Sequence, residues 1–186
     1  MKEERMWRAG PILGLVILTT LTMTLVGCGG GGDARPSASG LTPQEEIARL
    51  EASGEIPVLE RSTSLGGIDN NSNGVRDDIE RYIERKYAEP AQRKVAMQTA
   101  RALQKTLQVD TNDAFAVEAV SQDGMRAVNC RGAVFPGVEG FKEAFRMSQE
   151  LEALTTNTLL RLRAYMAYNK AVSGTVSRLP TGDTCD

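Results

Sequence analysis

From Val75 onward, apolar residues recur with a helical period and nowhere show the two-residue alternation of a half-buried strand. Val75, Ile79, Tyr82, Ile83 and Tyr87 fall on one stripe of a helix with about 3.6 residues per turn. Pro90 ends that helix and can open the next, because a first-turn position needs no N–H donor. Val95, Thr99, Leu103 and Leu107 then recur at every fourth position. Asp110 or Thr111 can cap a third helix carrying Phe115, Val117, Val120 and Val128, weakened in its middle by Gly124. After the break at Phe135-Pro136-Gly137 a long helix is expected over 138–172, with Leu151, Leu154, Thr158, Leu162, Tyr165, Asn169 and Val172 inward and Gly174 and Pro180 beyond its end. Upstream, Thr42, Pro43 and Glu45 form a capping box for a short helix with Ile47 and Leu50 on one face and Gly54 as its stop. Residues 55–68 hold Pro57, Gly66 and Gly67 and read as irregular. No internal repeat is visible. The expected fold is all-α, a small bundle of four to five helices with short connections over residues 41–186.

The first segment reads as a targeting signal. Lys2, Arg5 and Arg8 precede an apolar stretch from Ile12 to Val26, which ends in Leu25-Val26-Gly27-Cys28. That ending resembles the lipobox of bacterial lipoproteins. The resemblance implies cleavage of residues 1–27 and acylation of Cys28 by a diacylglyceryl group and usually an amide-linked chain. Two or three chains would anchor the protein stably, where one would not. The competing reading is an uncleaved membrane helix, for which the apolar run is short. Gly29 follows the Cys. In the Gram-negative sorting pattern an Asp there retains a lipoprotein in the inner membrane, so the resemblance implies an outer-membrane location if the source has one. Residues 28–40 continue as a Gly/Ser-rich tether spanning roughly 20 Å.

Composition excludes several chemistries. The 186 residues contain no His, so a Ser-His-Asp triad, a Cys-His pair and a His-bearing zinc site are all ruled out. A net charge of −2 argues against a nucleic-acid partner, which needs a basic face.

The chemically informative stretch is Asp69-Asn70-Asn71-Ser72-Asn73-Gly74-Val75-Arg76-Asp77-Asp78-Ile79-Glu80. Asp69, Asn71, Asn73, Asp77 and Glu80 place oxygen-bearing side chains at positions one, three, five, nine and twelve, with Gly74 at six. Calcium takes about six to eight oxygens, and alternate residues of a tight loop can supply them. Gly74 permits the backbone reversal, Val75 would offer its carbonyl, Asp77 would bind directly or through water, and Glu80 would close the sphere with both oxygens. The segment resembles EF-hand loops, and in particular the single loops of dockerins and thrombospondin type 3 repeats, which commonly lack a full incoming helix. The resemblance implies Ca2+ as the ligand. It departs from EF-hands at position eight, where Arg76 replaces the aliphatic residue that usually pairs with a partner loop, and no second loop is visible. Asn at positions three and five lowers the ligand charge, so affinity is expected in the micromolar-to-millimolar range of extracellular sites. The alternative is an Asn-rich turn that only caps the next helix.

With Cys28 assigned to lipid, Cys130 and Cys185 remain as an even pair, expected as a disulfide in an exported domain. Arg161, Arg163, Tyr165, Tyr168 and Asn169 crowd the last helix and read either as a core edge or as a polar pocket. The expected function is that of a membrane-anchored, non-enzymatic, calcium-binding envelope lipoprotein with a structural or partner-binding role. Two alternatives stay open. One is a small envelope enzyme or ligand-binding protein using the polar end of the last helix, and the other is a structural lipoprotein that binds no metal.

Overall fold

A computed structural model describes residues 40–186 of the chain. The expected signal peptide, Cys28 and all of the expected tether but Gly40 lie outside the described residues. Six helices follow in order: α1 (Pro43–Ser53), α2 (Asp77–Lys86), α3 (Pro90–Gln108), α4 (Ala114–Val134), α5 (Gly137–Thr155) and α6 (Leu159–Val172). Among the described residues there is no strand, so the fold is all-α as expected. No helix among them is long and apolar enough to cross a membrane.

Local sequence accounts for most helix ends. The Thr42 side chain accepts from Glu45 N while Glu45 reaches back to Thr42 N at 2.8 Å, which completes the capping box of α1. Gly54 stops α1 in the left-handed conformation at φ 76°. Pro90 opens α3. The cap of α4 is Asp113, not Asp110 or Thr111: its Oδ1 accepts from Phe115 N and Ala116 N at 3.0 and 3.1 Å. Asp110 serves a preceding turn instead, accepting from Asn112 N.

Helix α3 is the centre of the bundle and packs against α2, α4, α5 and α6. The core joins Val75, Ile79, Ile83 and Tyr87 to Val95, Ala96, Ala100, Cys130, Phe135, Ala144, Met147 and Leu151. Full burial of Ile79 and Ile83 stabilises the fold by about 1.5–3 kcal/mol each. The apolar residues of α4 do not all face the core. Val117 is buried while Phe115 is 91% exposed, because two residues on a helix lie about 200° apart.

The largest correction concerns the expected helix over 138–172. It breaks after Thr155 and restarts at Leu159. Thr155 and Thr156 turn their hydroxyls back onto Leu151 O and Glu152 O at 2.7 and 2.8 Å. The carbonyls of Leu154 and Thr155 accept from the Arg76 guanidinium rather than from a continuing helix. Thr158 then caps α6 by accepting from Arg161 N. The break resets the register: Arg161 and Tyr168 face inward and Leu162 is 43% exposed. Connections are also not all short, since residues 54–76 link α1 to α2.

The Cys130–Cys185 disulfide is present and fastens the C-terminal tail to α4. Gln98 Nε2 donates to Thr184 O at 2.7 Å, and Thr184 Oγ1 donates to Arg126 O at 2.8 Å. Residues Leu41–Asp186 form a compact unit holding the whole core and the disulfide, as a domain that folds on its own requires.

The disulfide spans 55 residues of chain, so the loop-closure account assigns it about 4 kcal/mol. Chemical denaturation with and without dithiothreitol measures this. The expected result is a loss of unfolding free energy of that size on reduction, seen as a lower midpoint and reproduced by Cys130→Ser. Unchanged midpoints would mean the tail contributes nothing to stability.

Candidate metal centre

The loop preceding α2 is closed at its base by Asp77 N donating to Ile68 O at 2.9 Å. Inside it, one carboxylate organises the turn. Asp69 Oδ1 accepts from Asn73 N at 3.1 Å and Asp69 Oδ2 from Gly74 N at 2.9 Å. Asn71 Oδ1 accepts from Asn73 N at 3.1 Å, and Asn73 Oδ1 from Val75 N at 2.9 Å. Two residues take left-handed backbone, Ser72 at φ 56° and Gly74 at φ 83°. Glycine is the natural occupant at the second of these, and a Cβ there would stand 3.0 Å from Arg101 Cγ.

Glu80, in the first turn of α2, meets this loop with both oxygens. Asn73 Nδ2 donates to Oε1 at 2.8 Å and Asn71 Nδ2 to Oε2 at 3.0 Å. The predicted ligands at positions one, three, five and twelve therefore form one hydrogen-bonded group. Val75 is fully buried beside them. Asp77 does not join the group by these bonds. Its carboxylate accepts from the backbone N and side-chain amide of Asn70, a residue the sequence reading left without a role. Arg101 was also missed. Its Nε donates to Asn73 O at 3.0 Å while its Nη1 pairs with Asp186, next to the disulfide. Twenty-eight residues separate Arg101 from Asn73, so no local pattern announces it.

The donor set fits a hard cation. All its acceptors are oxygens, but among the described residues no three His, Cys, Asp or Glu side chains come together so as to hold a metal ion, so a cation here would need amide oxygens beside the carboxylates of Asp69 and Glu80. Two amide N–H groups now present the positive ends of their dipoles to Glu80. Rotating each amide would replace nitrogen by oxygen and set two oxygens against a carboxylate, an arrangement that a cation between them would stabilise.

Position eight explains itself through packing. Arg76 has no exposed surface, and its Nε and Nη2 donate to the two oxygens of Asp78 at 2.9 and 2.8 Å. Its remaining donors reach Thr155 O, Asn157 Oδ1 and Leu154 O. A second arginine with no exposed surface, Arg161, donates to Glu60 O, Ser64 O and Asn157 Oδ1 at 2.8–2.9 Å and pairs with the Glu60 carboxylate. Glu60 N in turn donates to Asp78 Oδ2 at 2.7 Å. At Gly67, φ 68°, a Cβ would stand 2.2 Å from Arg76 Cδ, so glycine is required there. The cluster foreseen on α6 thus separates: Arg161 serves this ion network, and Arg163 is exposed. Burial, and then Glu152, raise the Tyr165 hydroxyl, with Asn169 opposing.

Burial opposes ionisation of Glu60, but hydrogen bonds from Ser62 and Arg161 outweigh it and hold its carboxyl at about 2, against an ordinary 4.5. A depressed folded value means stability that is complete above the unfolded value and lost as pH falls from about 5 towards 2, roughly 3 kcal/mol in all. Urea midpoints across that range should fall steeply for the native chain and less steeply for Glu60→Gln. Identical slopes would assign the acid sensitivity elsewhere.

No family model matches this sequence, and neither a curated protein nor a solved structure shows significant similarity to it, so its function is inferred from the chemistry of these residues.

Proposed function

We propose that this protein is a lipid-anchored cell-envelope protein that binds one Ca2+ in the loop 69–80 and uses it to stabilise that region for a structural or partner-binding role, without catalysis. The carrying observation is the convergence of Asn71 and Asn73 on the two oxygens of Glu80, around a turn organised by Asp69. Asp69, Asn71, Asn73 and Glu80 would hold the ion with their side chains and Val75 with its carbonyl. Asp77 would join directly or through water on leaving Asn70. The ion supplies two positive charges where carboxylates and amide oxygens would otherwise repel.

Two features tune the site. Arg101 lies against Gly74 and its charge opposes a cation, although Asp186 partly compensates it. Asp78 sits in the same acidic first turn but is committed to Arg76, so it adds no free ligand. Both support modest affinity. The anchoring half of the proposal rests on Leu25-Val26-Gly27-Cys28 and the tether after it.

Calorimetry with calcium on residues 41–186 tests the ion. One site per chain is expected, with a rise in melting temperature, since ligand at a hundredfold its Kd adds about 2.7 kcal/mol. Glu80→Gln should weaken binding by more than about tenfold, equivalent to 1.4 kcal/mol, while Ser72→Ala should change it little. No heat and no thermal shift at millimolar calcium would rule the site out. Labelled palmitate fed to expressing cells should enter the native chain and not Cys28→Ala; equal labelling would refute the anchor.

A further inference from the structure

A cleft of about 690 Å³ lies between α4, α5 and the C-terminal tail, remote in sequence from the loop. Its size falls within the range of small-molecule sites, and its walls are mainly apolar. Phe141 and Phe145 line it as a stacked pair with ring centroids 6.4 Å apart, and they are 68% and 54% exposed. Leu179 of the tail, 57% exposed, lines it too. Neighbouring apolar side chains this exposed mark a surface that meets something else.

The cleft has one cation in its lining. Arg131, with Val128 and Ser148, borders both this cleft and a smaller cavity of about 170 Å³ inside the bundle. Its Nη1 donates to Thr99 Oγ1 at 3.0 Å. It makes no ion pair with any described carboxylate, and desolvation alone lowers its pKa. The two fully buried arginines are treated differently: Arg76 has Asp78 and Arg161 has Glu60. A guanidinium drawn out of water with no counter-charge is unfavourable, and an anion placed on its remaining donors would relieve that.

We propose that this cleft binds a single-chain fatty carboxylate, its head on Arg131 and its chain along Phe141, Phe145 and Leu179. Charge complementarity selects this occupant. Arg131 is the one charged residue of the lining and most of the rest is apolar, so a ligand that satisfies both carries a negative charge on an apolar body. A second protein surface would cover the phenylalanines but leave Arg131 unpaired. A carboxylate also matches the planar fork of a guanidinium in a bidentate pair.

Calorimetric titration of calcium-free residues 41–186 with dodecanoate below its micellar concentration tests the proposal, with dodecanol as the uncharged probe of equal length. Saturable binding of one dodecanoate per chain is expected, at least tenfold tighter than dodecanol. Arg131→Met should weaken dodecanoate at least tenfold and leave dodecanol unchanged, Arg131→Lys should weaken dodecanoate less than Arg131→Met does, and Phe145→Ser should weaken both probes. Helical circular dichroism of each variant verifies folding, and Phe145→Ser, on the exposed face, keeps the test open if Arg131→Met does not fold. Absence of saturable binding, equal affinity for the two probes, or indifference to Phe145→Ser would overturn the proposal. So would a concentration-dependent dimer that Phe145→Ser abolishes, because the cleft would then belong to a second copy. Calcium titration is independent of these readouts.

Discussion

Two guanidiniums without exposed surface, Arg76 and Arg161, hold the long connection between α1 and α2 against the junction of α5 and α6. Burying ions is expensive unless every donor finds an acceptor, and a pair broken on one side leaves a charge stranded. Here the acceptors are two carboxylates, one amide oxygen and four backbone carbonyls. Only Arg161 Nε is left unmatched. The carbonyls come from the end of α5 and from the irregular segment, so the network supplies hydrogen bonds that regular structure would otherwise have provided. It is the network that joins the loop path to the break between α5 and α6.

The oxygen-rich loop inherits its position from this arrangement. Its last residue before α2 is Arg76, locked inside, and Asp78 in the first turn is locked with it. On the other side, Arg101 grips Asn73 O and pairs with Asp186, whose neighbour Cys185 is bonded to α4. The loop is therefore held at two places by groups outside it, while the side chains of Asp69, Asn71, Asn73 and Glu80 face one another. In a paired-loop protein, position eight contacts a second loop; here an arginine docks the single loop onto its own bundle.

Much of this could be read from local pattern, and what could not has a common cause. The α1 capping box, the stop at Gly54, and the stripe Val75, Ile79, Ile83 and Tyr87 depend on neighbours within a few residues, and the structure has them as expected. In the Asp69–Glu80 segment, hydrogen bonds join the side chains of Asn71 and Asn73 to Glu80, and Asp69 bonds the turn backbone. The break at residues 156–158 has a local signal, since Thr155, Thr156, Asn157 and Thr158 favour caps and turns over helix interiors, but an apolar stripe running on to Leu162 hides it; the carbonyls at the end of α5 are taken up by an arginine 79 residues away in sequence. Arg76 itself looked like a departure from a loop pattern, because its partners are scattered along the chain. Arg161 was grouped with tyrosines on its own helix, whereas its partner Glu60 lies 101 residues distant. Expecting one helix through the break also put Leu162 on the inner face. Of the apolar residues on α4, Phe115 and Val117 lie two positions apart and cannot share a face, and only Val117 is buried.

Arg76 bonds the end of the loop to the α5–α6 junction, so a cation bound at Glu80, as proposed, would stabilise both as one cooperative unit. Amide hydrogen exchange of the calcium-free and calcium-saturated domain measures this directly. The account predicts slower exchange with calcium at Asn73 and Gly74 and also at the first turn of α6, including Arg161 N, with the second effect lost in Arg76→Met. Protection confined to the loop, or no protection at either place, would contradict it.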